Sequence, residues 1–201
     1  CLVGSEMCIR DRGYNDGFAF CYKIPEGEGE CVNVQSELTA YNFAGDYTAW
    51  FYNGENHNIG PEKLTETDGT RLPVMTVKAG DRHYMAIHEA CLETGAPLVL
   101  QSKGGESLFS VASKPADLSP GYTSAWRVVL YGTTPGVLTD SHLLELLNPD
   151  PDSRYDFSWV KPGLAVWDWR INGAVWDGFT YGMSYPSWVR MVDFAAEQGF
   201  K

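Results

Sequence analysis

Between Gly13 and about Arg127, apolar and polar positions alternate in short runs that are broken by Gly, Pro, Asn and Asp. Phe18-Ala19-Phe20-Cys21-Tyr22, Ala49-Trp50-Phe51-Tyr52, Val74-Met75-Thr76-Val77 and Tyr84-Met85-Ala86-Ile87-His88 each read as a strand, because side chains two apart share a face of a sheet. Asn15-Asp16-Gly17, Asn53-Gly54, Asp68-Gly69 and Lys103-Gly104-Gly105 carry the residues that tight turns demand. Strands at this spacing predict a β-sandwich. Trp126 to Gly132 is a further strand. Ser141 to Leu147 is a short helix with Asp140 or Ser141 as its N-cap and Asn148-Pro149 as its stop.

After residue 147 the texture changes. Asn148 to Tyr155 is rich in Pro, Asp and Ser and reads as a linker. Leu164-Ala165-Val166-Trp167-Asp168-Trp169 is an almost unbroken apolar run, which predicts a strand buried on both faces of a parallel sheet. A loop rich in Gly and aromatics follows from Arg170 to Gly182. A helix then starts at Ser184 or Tyr185 with Pro186 in its first turn, sets Trp188, Val192 and Ala195 on one face, and stops at Gly199. Strand, long loop and helix make the repeating unit of a (β/α)8 barrel. The expected organisation is mainly β: a sandwich over 13–150, then a linker and the truncated start of a barrel over 151–201.

Composition narrows this picture. The 201 residues are 44% hydrophobic and 13% aromatic, which supports a packed core and argues against disorder. The formal net charge of −11 leaves no electrostatic footprint for DNA or RNA. No apolar run approaches the ~20 residues of a membrane-spanning helix. Residues 1–12 have neither an apolar period nor a signal-peptide layout. Back-translated, residues 2–11 resemble a transposase-based sequencing adapter read in frame, so 1–12 is expected to be non-native. Cys21, Cys31 and Cys91 then remain, an odd number without the CxxC spacing of a zinc site.

Two places carry candidate chemistry. By strand alternation Glu89 shares a face with Met85, Ile87 and Cys91, and a carboxylate on an apolar face needs a cation or donors. A solvated sheet face is the other reading of Glu89. Trp167, Asp168, Trp169 and Arg170 fall at the C-terminal end of the expected barrel strand, where barrel active sites lie. Aromatic faces stack on sugar rings and Asp accepts from hydroxyls; equally, the two Trp can fill a core and Arg170 can pair within a loop. Trp176, Asp177, Phe179 and Tyr181 could form a wall of the same site. The four histidines show no paired metal spacing, and no nucleophile elbow or phosphate-binding loop is present.

Several of these segments match one family in register. Ser158-Trp159-Val160-Lys161-Pro162-Gly163 through Trp167-Asp168-Trp169 resembles the motif that opens the barrel of glycoside hydrolase family 97. Asp16-Gly17-Phe18-Ala19-Phe20-Cys21-Tyr22, Ile87-His88-Glu89-Ala90, Ala125-Trp126-Arg127-Val128 and Val192-Asp193-Phe194-Ala195-Ala196 resemble further segments of it, in the same order. Cys21, Ala125 and Arg170 depart from the usual Arg, Pro and Trp. The resemblance implies a galactose-mutarotase-like sandwich followed by a barrel, in an enzyme that cleaves α-glucosidic or α-galactosidic bonds of oligosaccharides or polysaccharides. It implies Ca2+ at the active site with Glu89 as one ligand, and a periplasmic or secreted parent. It also implies that the catalytic acid and base lie outside this chain, which alone is then inactive. The rival readings are a non-catalytic carbohydrate-binding sandwich module and a mutarotase-like isomerase; the latter needs a facing His and carboxylate that the sequence does not offer.

Overall fold

A computed structural model describes residues 8–27 and 29–200. The chain forms β1 (Cys8–Tyr14), β2 (Gly17–Lys23), β3 (Val32–Val34), β4 (Ala40–Asn42), β5 (Thr48–Tyr52), β6 (Ile59–Lys63), β7 (Asp68–Lys78), β8 (Tyr84–Ala90), β9 (Leu100–Lys103), β10 (Leu108–Val111), β11 (Ala116–Leu118) and β12 (Trp126–Gly132). Helices α1 (Pro135–Asp140), α2 (Leu143–Leu146) and α3 (Asp168–Ile171) follow, then β13 (Val175–Trp176), β14 (Phe179–Thr180) and α4 (Tyr185–Glu197). Two compact units divide the chain, Cys1–Asp150 and Pro151–Lys201. Of the segment read as non-native, residues 1–7 lie outside the described residues, and Cys8 to Arg12 pair with β2 along β1.

The first unit is a curled, antiparallel, ten-stranded sheet in which β1-β2-β12-β8-β7-β9-β10-β4 are successive neighbours and β5 joins β6 to β7. The curl is made by β7. Its first residues, Asp68 to Arg71, pair with β9, whereas Met75 to Lys78 lie between β5 and β8. Pro73 sits at the changeover, where the ladder can spare an N–H. A strand that changes sheets in this way makes the corner of a sandwich. The two resulting layers enclose Phe51, Leu64, Met75, Ile87, Leu100 and Phe109. The outer face of β2, β8 and β12 carries Ala19, Cys21, Ala86, Ala90, Trp126 and Val128 and is packed by Leu143 and Leu147. Ile87 and Ala86 enter different cores, as a period of two requires.

Three local expectations change in this unit. Asp68-Gly69 opens β7 rather than making a turn, because Gly69 takes a left-handed φ of 82° and still pairs with Ser102. A helix not anticipated, α1, begins after Thr134 with Pro135 in its first turn, which matches proline's fixed φ. The helix expected from Ser141 to Leu147 shortens to Leu143–Leu146, with Ser141 Oγ accepting from the Leu143 N–H at 3.2 Å.

In the second unit the expected barrel strand is not formed. Leu164 to Trp167 carry no strand pairing, and Asp168–Ile171 instead closes one helical turn. A strand buried on both faces needs ladder partners on both sides, and none of the described residues supplies one. Leu164, Trp167 and Trp169 are accordingly exposed. The loop after it holds the hairpin β13–β14, closed by Asp177 and Gly178 with positive φ of 49° and 69°, the conformation that a two-residue hairpin turn favours. Helix α4 buries Ser187 and Met191, with Ala195 half-buried. Its inward face is therefore one residue round from the Trp188, Val192 and Ala195 face expected, and Trp188 and Val192 are exposed. Gly199 ends the helix at a φ of 68°; its N–H donates to Ala196 O, that of Phe200 donates to Ala195 O at 2.8 Å, and the Phe200 ring meets Phe194.

Candidate functional site

The sandwich holds a cluster of buried charge. Glu89 on β8 lies directly across the ladder from Arg127 on β12, so both project from the face that also carries Met85 and Ile87. Cys91 does not share that face. It follows β8 with a positive φ of 54°, which breaks the alternation, and packs against the outer core instead. Arg127 is only 4% exposed. Its Nε and Nη2 donate to the two carboxylate oxygens of Glu37 at 2.9 and 2.6 Å, and its Nη1 donates to Glu89 Oε2 at 3.4 Å. Glu89 Oε2 also accepts from the Leu98 N–H at 2.8 Å. Burial works against the guanidinium charge, but the fork to Glu37 and the charges of Glu37 and Glu89 outweigh it, so Arg127 is held protonated more firmly than a free arginine.

Polar neighbours surround this cluster. Tyr22 Oη and Thr39 Oγ1 share a hydrogen bond of 2.8 Å. The buried Tyr41 hydroxyl has no hydrogen-bond partner among the described residues; burial first, and then the carboxylates of Glu37 and Glu89, push its pKa up despite the lowering effect of Arg127. A cavity of about 600 Å³ opens beside Glu37 and Arg127, with Pro97, Val99, Ala112 and Tyr122 among its walls.

This donor set is an internal ion network and does not by itself assemble a cation site. No group of three or more His, Cys, Asp or Glu is assembled among the described residues. Calcium takes about 6–8 oxygen ligands, more than Glu37 and Glu89, both engaged by Arg127, supply among the described residues. One Glu89 oxygen is committed to Leu98 and Arg127; its Oε1 makes no hydrogen bond among the described residues.

In the second unit, Trp167, Asp168, Trp169 and Arg170 come together around the turn α3. Asp168 Oδ1 accepts from the Trp169 N–H at 2.8 Å, and Oδ2 accepts from the Trp188 indole Nε1 at 3.0 Å. The Arg170 guanidinium lies 5.1 Å from the centre of the Trp167 ring, and Arg190 covers Phe179 at 4.1 Å. Trp167, Trp169 and Trp176 expose broad aromatic faces, the kind of surface on which a sugar ring stacks. Sequence reasoning missed Glu37, Leu98 and Trp188 as partners in these clusters. Arg127 did carry a signal: a charge inside the apolar run Trp126 to Leu130 must find a counter-charge. Glu37 stands in a polar stretch with no period, and nothing local marks it.

The first unit is thus a curled antiparallel sheet whose inner face holds a buried carboxylate–guanidinium–carboxylate cluster. The family described as Glycosyl-hydrolase 97 N-terminal matches residues 2–149, and the chain belongs to this family. A retaining alpha-galactosidase of Bacteroides thetaiotaomicron is 27% identical over 96% of this chain and 35% of its own length. A probable retaining alpha-galactosidase of Streptomyces bingchenggensis is 29% identical over 98% of this chain and 30% of its own length. The chain thus spans about a third of the length of the curated relatives it matches. Among solved structures, a family 97 enzyme of Pseudoalteromonas sp. strain K8 in complex with acarbose superposes with a TM-score of 0.77 at 26% identity, over 97% of this chain and 32% of that one. A beta-arabinopyranosidase shares the fold with a TM-score of 0.75 at 17% identity, over 97% of this chain and 35% of that one.

Proposed function

We propose that this chain is part of a glycoside hydrolase that cleaves α-galactosidic bonds with retention of configuration, and that it comprises the sandwich and the opening βα unit of the catalytic barrel. The observation that supports this most is the match of nearly the whole chain, in order, to two relatives named as retaining alpha-galactosidases. α-Glucosides are the second substrate class. They are favoured by the enzyme of the same family solved with acarbose and, as a variant, with panose.

In this reading, Leu164 to Trp169 becomes the first barrel strand once later barrel strands supply its ladder partners. The exposed Trp167 and Trp169 then offer stacking faces to an α-linked oligosaccharide. Asp168 and Arg170, at the C-terminal end of that strand, then accept from and donate to sugar hydroxyls. Retaining hydrolysis needs two carboxyl groups about 5–5.5 Å apart, one as nucleophile and one as acid and then base. Both belong to residues outside this chain. Calcium would supply positive charge beside the reacting bond, on ligands from outside this chain.

The test is hydrolysis by the full-length protein that carries this chain. It is expected to turn over p-nitrophenyl α-D-galactopyranoside faster than the glucopyranoside, release the α-anomer first by proton NMR, lose activity in chelator and regain it with calcium. The 201-residue chain alone is expected to turn over neither substrate. Failure of the full-length protein to cleave any α-glycoside sinks the proposal, and release of the β-anomer sinks its stereochemistry.

A further inference from the structure

We infer that Trp176, presented by the β13–β14 hairpin, is the stacking surface for the sugar on the leaving-group side of the cleaved bond. It thereby sets a preference for oligosaccharides over simpler glycosides. This inference rests on the hydrolase reading above and deepens it.

Three observations carry it. First, the hairpin is shaped by contacts that do not involve the run Leu164 to Trp169. Asp177 and Gly178 close its two-residue turn with φ of 49° and 69°. At its base the Gly173 N–H donates to Tyr181 O and the Tyr181 N–H donates to Ala174 O, each at 2.8 Å. The Gly182 N–H then donates at 2.9 Å to Ser187 Oγ, a buried side chain in the first turn of α4. This geometry does not change when Leu164 to Trp169 finds its ladder partners. Second, the two rings beside the turn have different surroundings. Trp176 and Phe179 are ladder partners, so they share a face of the hairpin. Phe179 is covered by the Arg190 guanidinium at 4.1 Å and meets the Tyr181 ring edge-on at 5.1 Å. Trp176 is left 74% exposed. The backbone that carries its indole is already ordered, so little freedom is lost when a ligand covers the ring. The exposed carboxylate of Asp177 stands next to it at the tip. A flat apolar face joined to a hydroxyl acceptor suits a sugar, which is apolar on its C–H face and polar at its rim, better than it suits a wholly apolar partner. Third, the hairpin lies in a βα loop, and in (β/α)8 barrels these loops build the active site around the strand ends. Trp167 to Arg170 stand at the strand end, beside the sugar being transferred. The hairpin tip stands farther out, where the next unit of the substrate lies.

The experiment compares two substrates of the full-length protein, melibiose, whose leaving group is a sugar, and α-D-galactosyl fluoride, whose leaving group is a single atom. Maltose and α-D-glucosyl fluoride replace them if glucosides are the better substrates. Trp176→Ala is expected to lower kcat/KM for the disaccharide about tenfold relative to the fluoride, mostly through KM, the order expected for loss of one stacking face. Trp176→Phe is expected to recover most of that loss. Thermal melting confirms that each variant is folded. An equal loss on both substrates, or no loss on either, overturns the inference and leaves the hydrolase reading standing. No turnover of any α-glycoside by the unaltered protein overturns both.

Discussion

Arg127 shows how much one residue can decide. It stands in an otherwise apolar strand, almost fully buried, with a carboxylate on either side. Burying a charge is costly unless it is paired, and removing one partner of a buried pair leaves the other uncompensated at a cost of about 3–5 kcal/mol. Arg127→Met alone strands two carboxylates that are only 15% and 12% exposed. It is expected to destabilise the sandwich by about that amount and lower its melting temperature in the full-length protein, whereas Glu37→Gln/Arg127→Met loses less because only Glu89 stays charged and it keeps the Leu98 N–H. Equal melting of Arg127→Met and the unaltered protein would show that the cluster does not hold the fold.

At the scale of elements, β7 and β10 organise the inner core. β7 serves both layers because its two halves pair with different strands, and β10 supplies Phe109, which is fully buried. The Phe109 ring lies 5.8 Å from that of Phe51 and 6.4 Å from that of Phe43, centre to centre, so it ties the layers together. Phe109→Ala removes the ring and leaves a void that rigid strands cannot close. The expected loss is about 3–5 kcal/mol, measured as a shift of the urea midpoint of the sandwich transition with its slope unchanged. Helix α4 is governed more locally. Its first turn, with Pro186, and its stop before Gly199 follow from fixed φ at one end and left-handed φ at the other, and both were legible without any neighbour. Its inward face was not legible, because Trp188 is drawn to the Asp168 carboxylate while Met191 takes the buried position.

Across the whole molecule the two units differ in how they treat apolar surface. The first encloses two cores. The second leaves Trp159 at 75%, Trp176 at 74% and Leu164 at 69% exposed. Large exposed apolar side chains in such number mark a surface that associates. Expressed by itself, the 201-residue chain is expected to self-associate and to bind a hydrophobic dye, read by light scattering and dye fluorescence; a monodisperse monomer that melts cooperatively would contradict this.

The amino-acid sequence alone determined what depends on near neighbours in the chain. The strands β2, β5, β8 and β12, the opposite faces of Ala86 and Ile87, and the limits of α4 follow from a period of two, from turn residues and from helix-end chemistry. Tertiary structure decided what depends on distant partners. Glu37 reaches Arg127 across 90 positions and Glu89 meets it across 38, separations that no local pattern encodes. The run from Leu164 to Trp169 makes the same point in reverse. Its apolar character reads as a buried strand, but a strand is completed by the hydrogen bonds of its neighbours, and without them the backbone closes a helical turn at Asp168. Glu89 was visible as a carboxylate in need of a partner; only the fold showed that its partners are the Leu98 N–H and the Arg127 guanidinium.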